Sequence, residues 1–329
     1  MIITSAPLRL SIGGGGTDLP FYSSRHGGEM ISAGIDKYIY IIIQKRDFFY
    51  DEFLIRYSKV ETPKRVEDIS HTRIKAALKL LEIDEPIEIT ALADVPARTG
   101  LGSSSAFLVA LLKALHQYKR ESVSSKVLAE QAFHIENSML GEPLGKQDQY
   151  VAAYGGLIHL DIDKFGEVMV SPLDIKLTTM EELESNLLLF STAILHDSCD
   201  ILEDQKKQAL SDEKKIEGMH RIKIIGRKIK CSLEAGDTTQ VGHLLHEHWI
   251  FKKQFSEKIT SPVIDNLYDF GMANGALGGK LVGAGGGGFL MFYCKDDKQR
   301  LRDAFQKRGL KELSFRFDTG GCRIVFDGK

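Results

Sequence analysis

Cysteine is scarce in this chain of 329 residues: Cys199, Cys231, Cys294 and Cys322 lie far apart and form no C-x-x-C pair. That argues against a disulfide frame or a zinc knuckle and leaves reduced, core-packed thiols as the expectation. Nowhere do about 18 apolar residues run together, and the start, MIITSAPLRLSIGGGG, lacks the basic segment and apolar run of a secretory signal. A cytoplasmic chain with no membrane partner is therefore expected. Charge of one sign is missing too, with 43 Lys and Arg against 45 Asp and Glu, net -2, so nucleic acid is not an expected partner. The sequence also lacks a repeat of fixed period, a low-complexity linker and a G-x-x-x-x-G-K-[ST] phosphate loop.

What is present is an ordinary globular composition, 43% hydrophobic and 27% charged, over a length that suits two packed domains or one large α/β unit. Short β-branched runs at 39–43, 87–91 and 156–161 alternate with helical spacing at 103–118 and 127–140. Beyond about residue 172 the pattern changes. A strand is expected over 187–195, helices over 212–235 and 243–255, and a helix from Ser261-Pro262 to near Gly275, with Ser as cap and Pro in the first turn. A strand at 289–294, a charged helix at 296–307 and a last strand at 322–326 follow. The seam lies within 172–186, which divides the chain into 1–175 and 176–329.

Three glycine-rich segments carry the chemistry. PARTGLGSSSA, residues 96–106, turns on glycine straight into an amphipathic helix. Such a turn aims unpaired N–H groups and the positive helix end at one spot, so it can cradle a phosphate, and its serines can add hydroxyl donors or a magnesium ligand. A plain serine-capped helix is the bland alternative. Residues 283–288, GAGGGG, spell the dinucleotide fingerprint, but that fingerprint follows a strand and opens a helix, whereas this tract is expected to follow a helix and leads into the strand-like FLMFYC. Close backbone approach to another segment or a phosphate fits better, with a flexible hairpin as the alternative. Gly13 to Gly16 follow a strand-like stretch and precede Thr17-Asp18, where cleared space lets the Asp18 carboxylate accept from ligand hydroxyls.

In this order, the segments resemble the GHMP kinases, the superfamily of galactokinase, homoserine kinase, mevalonate kinase and phosphomevalonate kinase. Residues 7–12 through Thr17-Asp18 match its first motif, PARTGLGSSSA its second, and KLVGAGGGG from Lys280 its third. IGGGGTDLP, IRYSKVE at 55–61 and GKQDQY at 145–150 are similar to bacterial D-glycero-D-manno-heptose 7-phosphate 1-kinases. The resemblance implies an α+β, two-domain α/β fold: an amino-terminal domain like the second domain of ribosomal protein S5, a ferredoxin-like carboxy-terminal domain, and an active site between them. It implies phosphorylation of an anomeric hydroxyl by ATP with Mg2+, on the route to nucleotide-activated heptose for lipopolysaccharide or capsule. Galactokinase has Glu-His where this chain has Gly15-Gly16, which implies a widened sugar pocket. An L-fucose kinase, another sugar 1-kinase, or a catalytically silent sugar-binding sensor stay open as alternatives, as does a homodimer.

Carried over residue by residue, the resemblance makes Asp148 the carboxylate at the acceptor hydroxyl and Arg9 the guanidinium between it and the phosphate. Gly100, Leu101, Gly102, Ser103, Ser104, Ser105, Gly285 and Gly286 would meet ATP phosphates. Ser105 and Glu136 would hold magnesium, and Asp18, Thr17, Gly15 and Gly16 the sugar. Between Gly141 and Asp148 the chain has one residue more than the mevalonate kinase pattern. Other features weigh less. Asp269-Phe270-Gly271 spells a protein-kinase triplet inside a helix with no H-R-D loop. His243, His246, Glu247 and His248 cluster on a helix where a packed or solvated face outweighs a metal. Lys252, Lys253 and Ser256 are divided between a substrate phosphate and a wet surface.

Overall fold

Long runs of alternating apolar residues lay down the first sheet. In the computed structural model, which describes residues 1–46 and 49–328, β1 (Ile2–Gly13) is followed by α1 (Pro20–His26) and by β2 (Gly28–Lys45). Next come β3 (Leu54–Arg56), β4 (Val60–Glu61), α2 (Thr72–Leu80) and β5 (Ile87–Ala93). The helices α3 (Ser103–Tyr118), α4 (Ser125–Phe133) and α5 (Gln147–Tyr154) precede β6 (Leu157–Ile162) and β7 (Val168–Pro172). β2 is the spine of this sheet: it pairs along its length with β1, through residues 28–33 with β6 and through 39–45 with β5. Only its second half reads as β-branched in the sequence, so the expected strand at 39–43 captures a fraction of it. Leu108, Leu111, Leu112 and Leu115 of α3 are wholly buried, each contributing about 1.5–3 kcal/mol.

The second half begins with α6 (Leu177–Asn186) and β8 (Leu187–Ser191), then α7 (Ser198–Ser211), α8 (Glu213–Glu234), α9 (Thr238–Lys252) and α10 (Pro262–Ala273). β9 (Gly278–Leu281), β10 (Phe289–Tyr293), α11 (Lys298–Lys307) and β11 (Arg323–Asp327) complete it. The small sheet runs β8-β10-β9. Beside β8, the bridge from Phe190 to Glu312 and the bonds from Ser191 N–H to Lys311 O and from Leu313 N–H to Leu189 O, each 2.9 Å, supply a fourth rung. That is the order of a ferredoxin-like sheet, as expected.

Several expectations need correction. The strand over 187–195 stops at Ser191, because the Thr192 hydroxyl turns onto the Gly288 carbonyl at 2.9 Å and Ala193 takes φ 57. The helix over 127–140 is α-helical only to Phe133 and then opens into a π turn, His134–Met139. The glycine tract at 283–288 follows a strand, β9, and joins it to β10 as a hairpin. Cys231 is exposed, since it lies off the buried stripe Ile222, Ile225, Ile229 and Leu233 of α8. Residues 323–327 leave the carboxy-terminal half: β11 pairs with β1 and extends the large sheet.

Candidate active site

Several of the residues expected at the site converge where β1, the turn before α3 and the start of α5 meet the carboxy-terminal half. Arg9 sits on β1, 7% of its side chain exposed, and its backbone N–H donates to the Leu101 carbonyl at 3.0 Å. Its guanidinium grips Asp148 through two parallel bonds, Nε to Oδ1 and Nη2 to Oδ2, both 2.7 Å, while Nη1 donates to the Gly100 carbonyl. This bidentate fork fixes the carboxylate plane and ties it to the glycine turn. Asp148 lies in the first turn of α5, where the positive end of the helix favours a carboxylate.

The glycine turn is left open for an anion. Gly102 caps α3 in the left-handed region, φ 74, and offers no side-chain cap to the N–H groups of the first turn. A Cβ at Gly102 would stand 3.2 Å from Asp148 Oδ2, so glycine also keeps the carboxylate close to the cradle. Ser103 and Ser104 face the cavity, while Leu101 is buried beneath it.

Ser105 and Glu136, the two residues expected at magnesium, meet Oγ to Oε2 at 2.8 Å. Glu136 is wholly buried in the π turn, and its carboxylate also accepts from Gln149 Nε2 at 2.7 Å and Arg73 Nε at 3.2 Å. Two cis oxygens on an octahedral magnesium stand about 3 Å apart, so the Ser105–Glu136 pair fits a metal that completes its shell with water and phosphate. Among the described residues no three His, Cys, Asp or Glu side chains gather as a metal cage. His246 instead bonds the Tyr268 hydroxyl at 2.7 Å, His248 is buried and His243 is exposed, so the three histidines meet different surroundings.

Asp18 is buried at the cavity wall, accepting from the Gly16 and Gln147 N–H groups at 3.2 Å each. Burial nonetheless raises its pKa, with the Asp148 charge adding to the effect against those two bonds. Thr17 departs from expectation: its hydroxyl is buried in the turn, donating to the Gly14 carbonyl at 2.8 Å and accepting from the Glu29 N–H at 3.0 Å. Gly15 and Gly16 both line the cavity; a Cβ on Gly15 would stand 2.6 Å from Ser11 Oγ, and Gly16 faces Gln205 of α7. Gly285 and Gly286 pack against Ile259 and Ile201, and it is Gly283 and Ala284 that reach the cavity.

The cavity holds about 580 Å³ and is lined by both halves of the chain, Arg9 and Asp148 from one and His196 and Lys252 from the other. Sequence reasoning missed Arg73, which bridges Glu136 to Glu142, donating to the latter through Nη2 at 2.5 Å. It also left Lys252 and Lys253 as a pair, whereas Lys252 is buried in the cavity wall and Lys253 reaches Asp265 at 3.5 Å. Among the described residues no helix is long and apolar enough to cross a membrane.

Comparison with known proteins gives matches in both halves of the chain. Residues 72–156 match the model of the GHMP kinases N terminal domain, and residues 230–311 that of the GHMP kinases C terminal. The chain is 32% identical to the D-glycero-alpha-D-manno-heptose 7-phosphate kinase of Campylobacter jejuni over 98% of each protein. It is 23% identical to the L-fucokinase/L-fucose-1-P guanylyltransferase of Bacteroides fragilis, over 90% of this chain and 35% of that protein. A crystal structure of a D-glycero-D-manno-heptose 1-phosphate kinase from Bacteroides thetaiotaomicron superposes with a TM-score of 0.84 and 27% identity, covering 100% of both chains. The Lactococcus lactis galactokinase, at 16% identity and a TM-score of 0.76 over 98% of this chain and 95% of that one, shares the fold.

Proposed function

The chain belongs to the GHMP kinase family, and from that premise we propose that it moves the terminal phosphoryl group of ATP onto the anomeric hydroxyl of D-glycero-D-manno-heptose 7-phosphate, giving the 1,7-bisphosphate. The observation that carries this reading is the Arg9–Asp148 fork set against an uncapped, glycine-opened helix start in one cavity. Phosphoryl transfer needs an acceptor oxygen held in line and charge on the phosphoryl oxygens met by cations and N–H groups. Asp148 orients the acceptor hydroxyl and accepts its proton; Arg9 fixes the plane of that carboxylate through its two bonds and faces the developing charge.

The turn at 100–105 receives the nucleotide phosphates, with Gly283 and Ala284 closing over it. Ser105 and Glu136 would hold magnesium, which supplies charge neutralisation on the phosphates. Asp18 and Gly16 face the sugar, and α7 covers it with Gln205. We place the boundary between two lobes at 175/176, with residues 323–327 returning as a strap to the first lobe. The product fits a route to nucleotide-activated heptose for surface polysaccharide. The test is a panel coupling ADP release to heptose 7-phosphate, unphosphorylated heptose, L-fucose and galactose. The reading predicts the highest kcat/KM with heptose 7-phosphate; preference for L-fucose would transfer the assignment to a fucose kinase, and silence on every sugar would favour a sensor.

A further inference from the structure

Lys252, the last residue of α9, is only 6% exposed and lines the cavity, yet the chemistry above gives it no task. Its ammonium donates to the Gly283 carbonyl, and among the described residues that is its only hydrogen bond, so two of its three donors are unspent. The ionisable groups that face it are Arg9 on β1, Asp18 after it, Asp148 on α5, His196 before α7, Lys280 on β9 and His248 on its own helix. Arg9 is committed to Asp148. Lys280 and His248 are wholly buried, and burial, reinforced by the neighbouring cations, pushes both toward the neutral form. Lys252 is therefore a buried cation with no carboxylate bonded to it.

Such a residue costs the folded state stability. Burial, then Arg9, pulls the Lys252 pKa down to about 8, with Asp18 and Asp148 opposing. A second unspent group lies in the same wall: His196 is 8% exposed, and its Nδ1 is buried with no partner among the described residues. An ammonium with unspent donors in a cavity wall beside Asp148, with the ring of His196 in the same wall, suits an oxyanion. Resting on the kinase reading, we propose that Lys252, assisted by His196, forms an anion subsite that takes a phosphate oxygen, either of the phosphoryl group in transfer or of the acceptor's own phosphate ester.

The test titrates inorganic phosphate calorimetrically into protein saturated with ADP and magnesium, comparing wild type with Lys252→Met and Lys252→Arg. Lys252→Met should bind phosphate roughly tenfold more weakly and Lys252→Arg should recover part of that loss. The Met variant should melt no lower than wild type at pH 7, because it removes a buried charge. Wild-type affinity should fall as pH rises through about 8, where the ammonium is lost. A kcat loss on both heptose and heptose 7-phosphate assigns the subsite to the transferred group; a KM rise confined to the phosphorylated sugar assigns it to the acceptor's phosphate. Phosphate affinity of Lys252→Met within about twofold of wild type overturns the subsite, as does a loss that tracks a lowered Tm and is not rescued by Arg. Lys252-dependent phosphate binding without turnover of either sugar would overturn the acceptor reading alone.

Discussion

Gly100 and Gly283 meet backbone to backbone. A Cβ built on Gly283 would stand 2.7 Å from Gly100 Cα, and one built on Gly100 would stand 2.5 Å from the Val282 carbonyl oxygen. The contact joins the loop before α3 to the β9–β10 hairpin, so the two glycine segments form one structure contributed by both halves of the chain. Gly283 also holds φ +82, which side-chain-bearing residues seldom adopt. Gly283→Ala should cost about 1–3 kcal/mol of stability and raise the KM for ATP more than that for the sugar. Denaturant unfolding and steady-state kinetics check it; unchanged stability and unchanged KM for ATP would show that the contact relaxes freely.

Glu136 shares its carboxylate among Ser105, Gln149 and Arg73. If it is a magnesium ligand, Glu136→Gln should raise the magnesium concentration for half-maximal turnover by roughly tenfold while the KM for sugar stays near wild type. A magnesium dependence identical to wild type would move the ligand role to another carboxylate.

Among the described residues Arg73 is the one cation bonded to the buried Glu136, and it also pairs with Glu142, whose pKa burial raises despite that pairing. Arg73→Met takes the cation away from the buried Glu136 and the part-buried Glu142. Its own side chain is 19% exposed, so the loss should be nearer 2 kcal/mol than the full cost of breaking a wholly buried pair, read from urea unfolding at pH 7. Magnesium with nucleotide should restore more stability to this variant than it adds to wild type. Equal stabilities without magnesium would mean that Ser105 and Gln149 suffice to satisfy Glu136.

These residues show what the sequence makes legible. Local signals sufficed for the turn before α3 and for Ser261 as a helix cap, whereas Asp148 of GKQDQY was singled out through the family resemblance alone. The link between Ser105 and Glu136 was legible through family spacing, which persists although a π turn replaces the expected α-helix. Arg73 was not legible: its partners lie 63 and 69 residues away, and nothing on α2 distinguishes it from a solvated arginine. Lys252 and Lys253 are adjacent, so helical geometry alone turns them to different surroundings, and only the packing of α9 shows which one enters the cavity. Thr17 was misread because a short hydroxyl after a glycine turn can serve either ligand or backbone, and here the Gly14 carbonyl and Glu29 backbone take it.

Asp148 is where the account is most exposed. Its two oxygens are each held at 2.7 Å by Arg9, which fixes the carboxylate at the cavity wall. The measurement is turnover of Asp148→Asn under saturating ATP, magnesium and heptose 7-phosphate, with folding verified by Tm. Asparagine keeps the shape and removes the base, so nucleotide affinity should stay near wild type while kcat falls by roughly a hundredfold or more. A variant that retains more than about a third of wild-type kcat would contradict the assignment of Asp148 as the carboxylate that handles the acceptor hydroxyl.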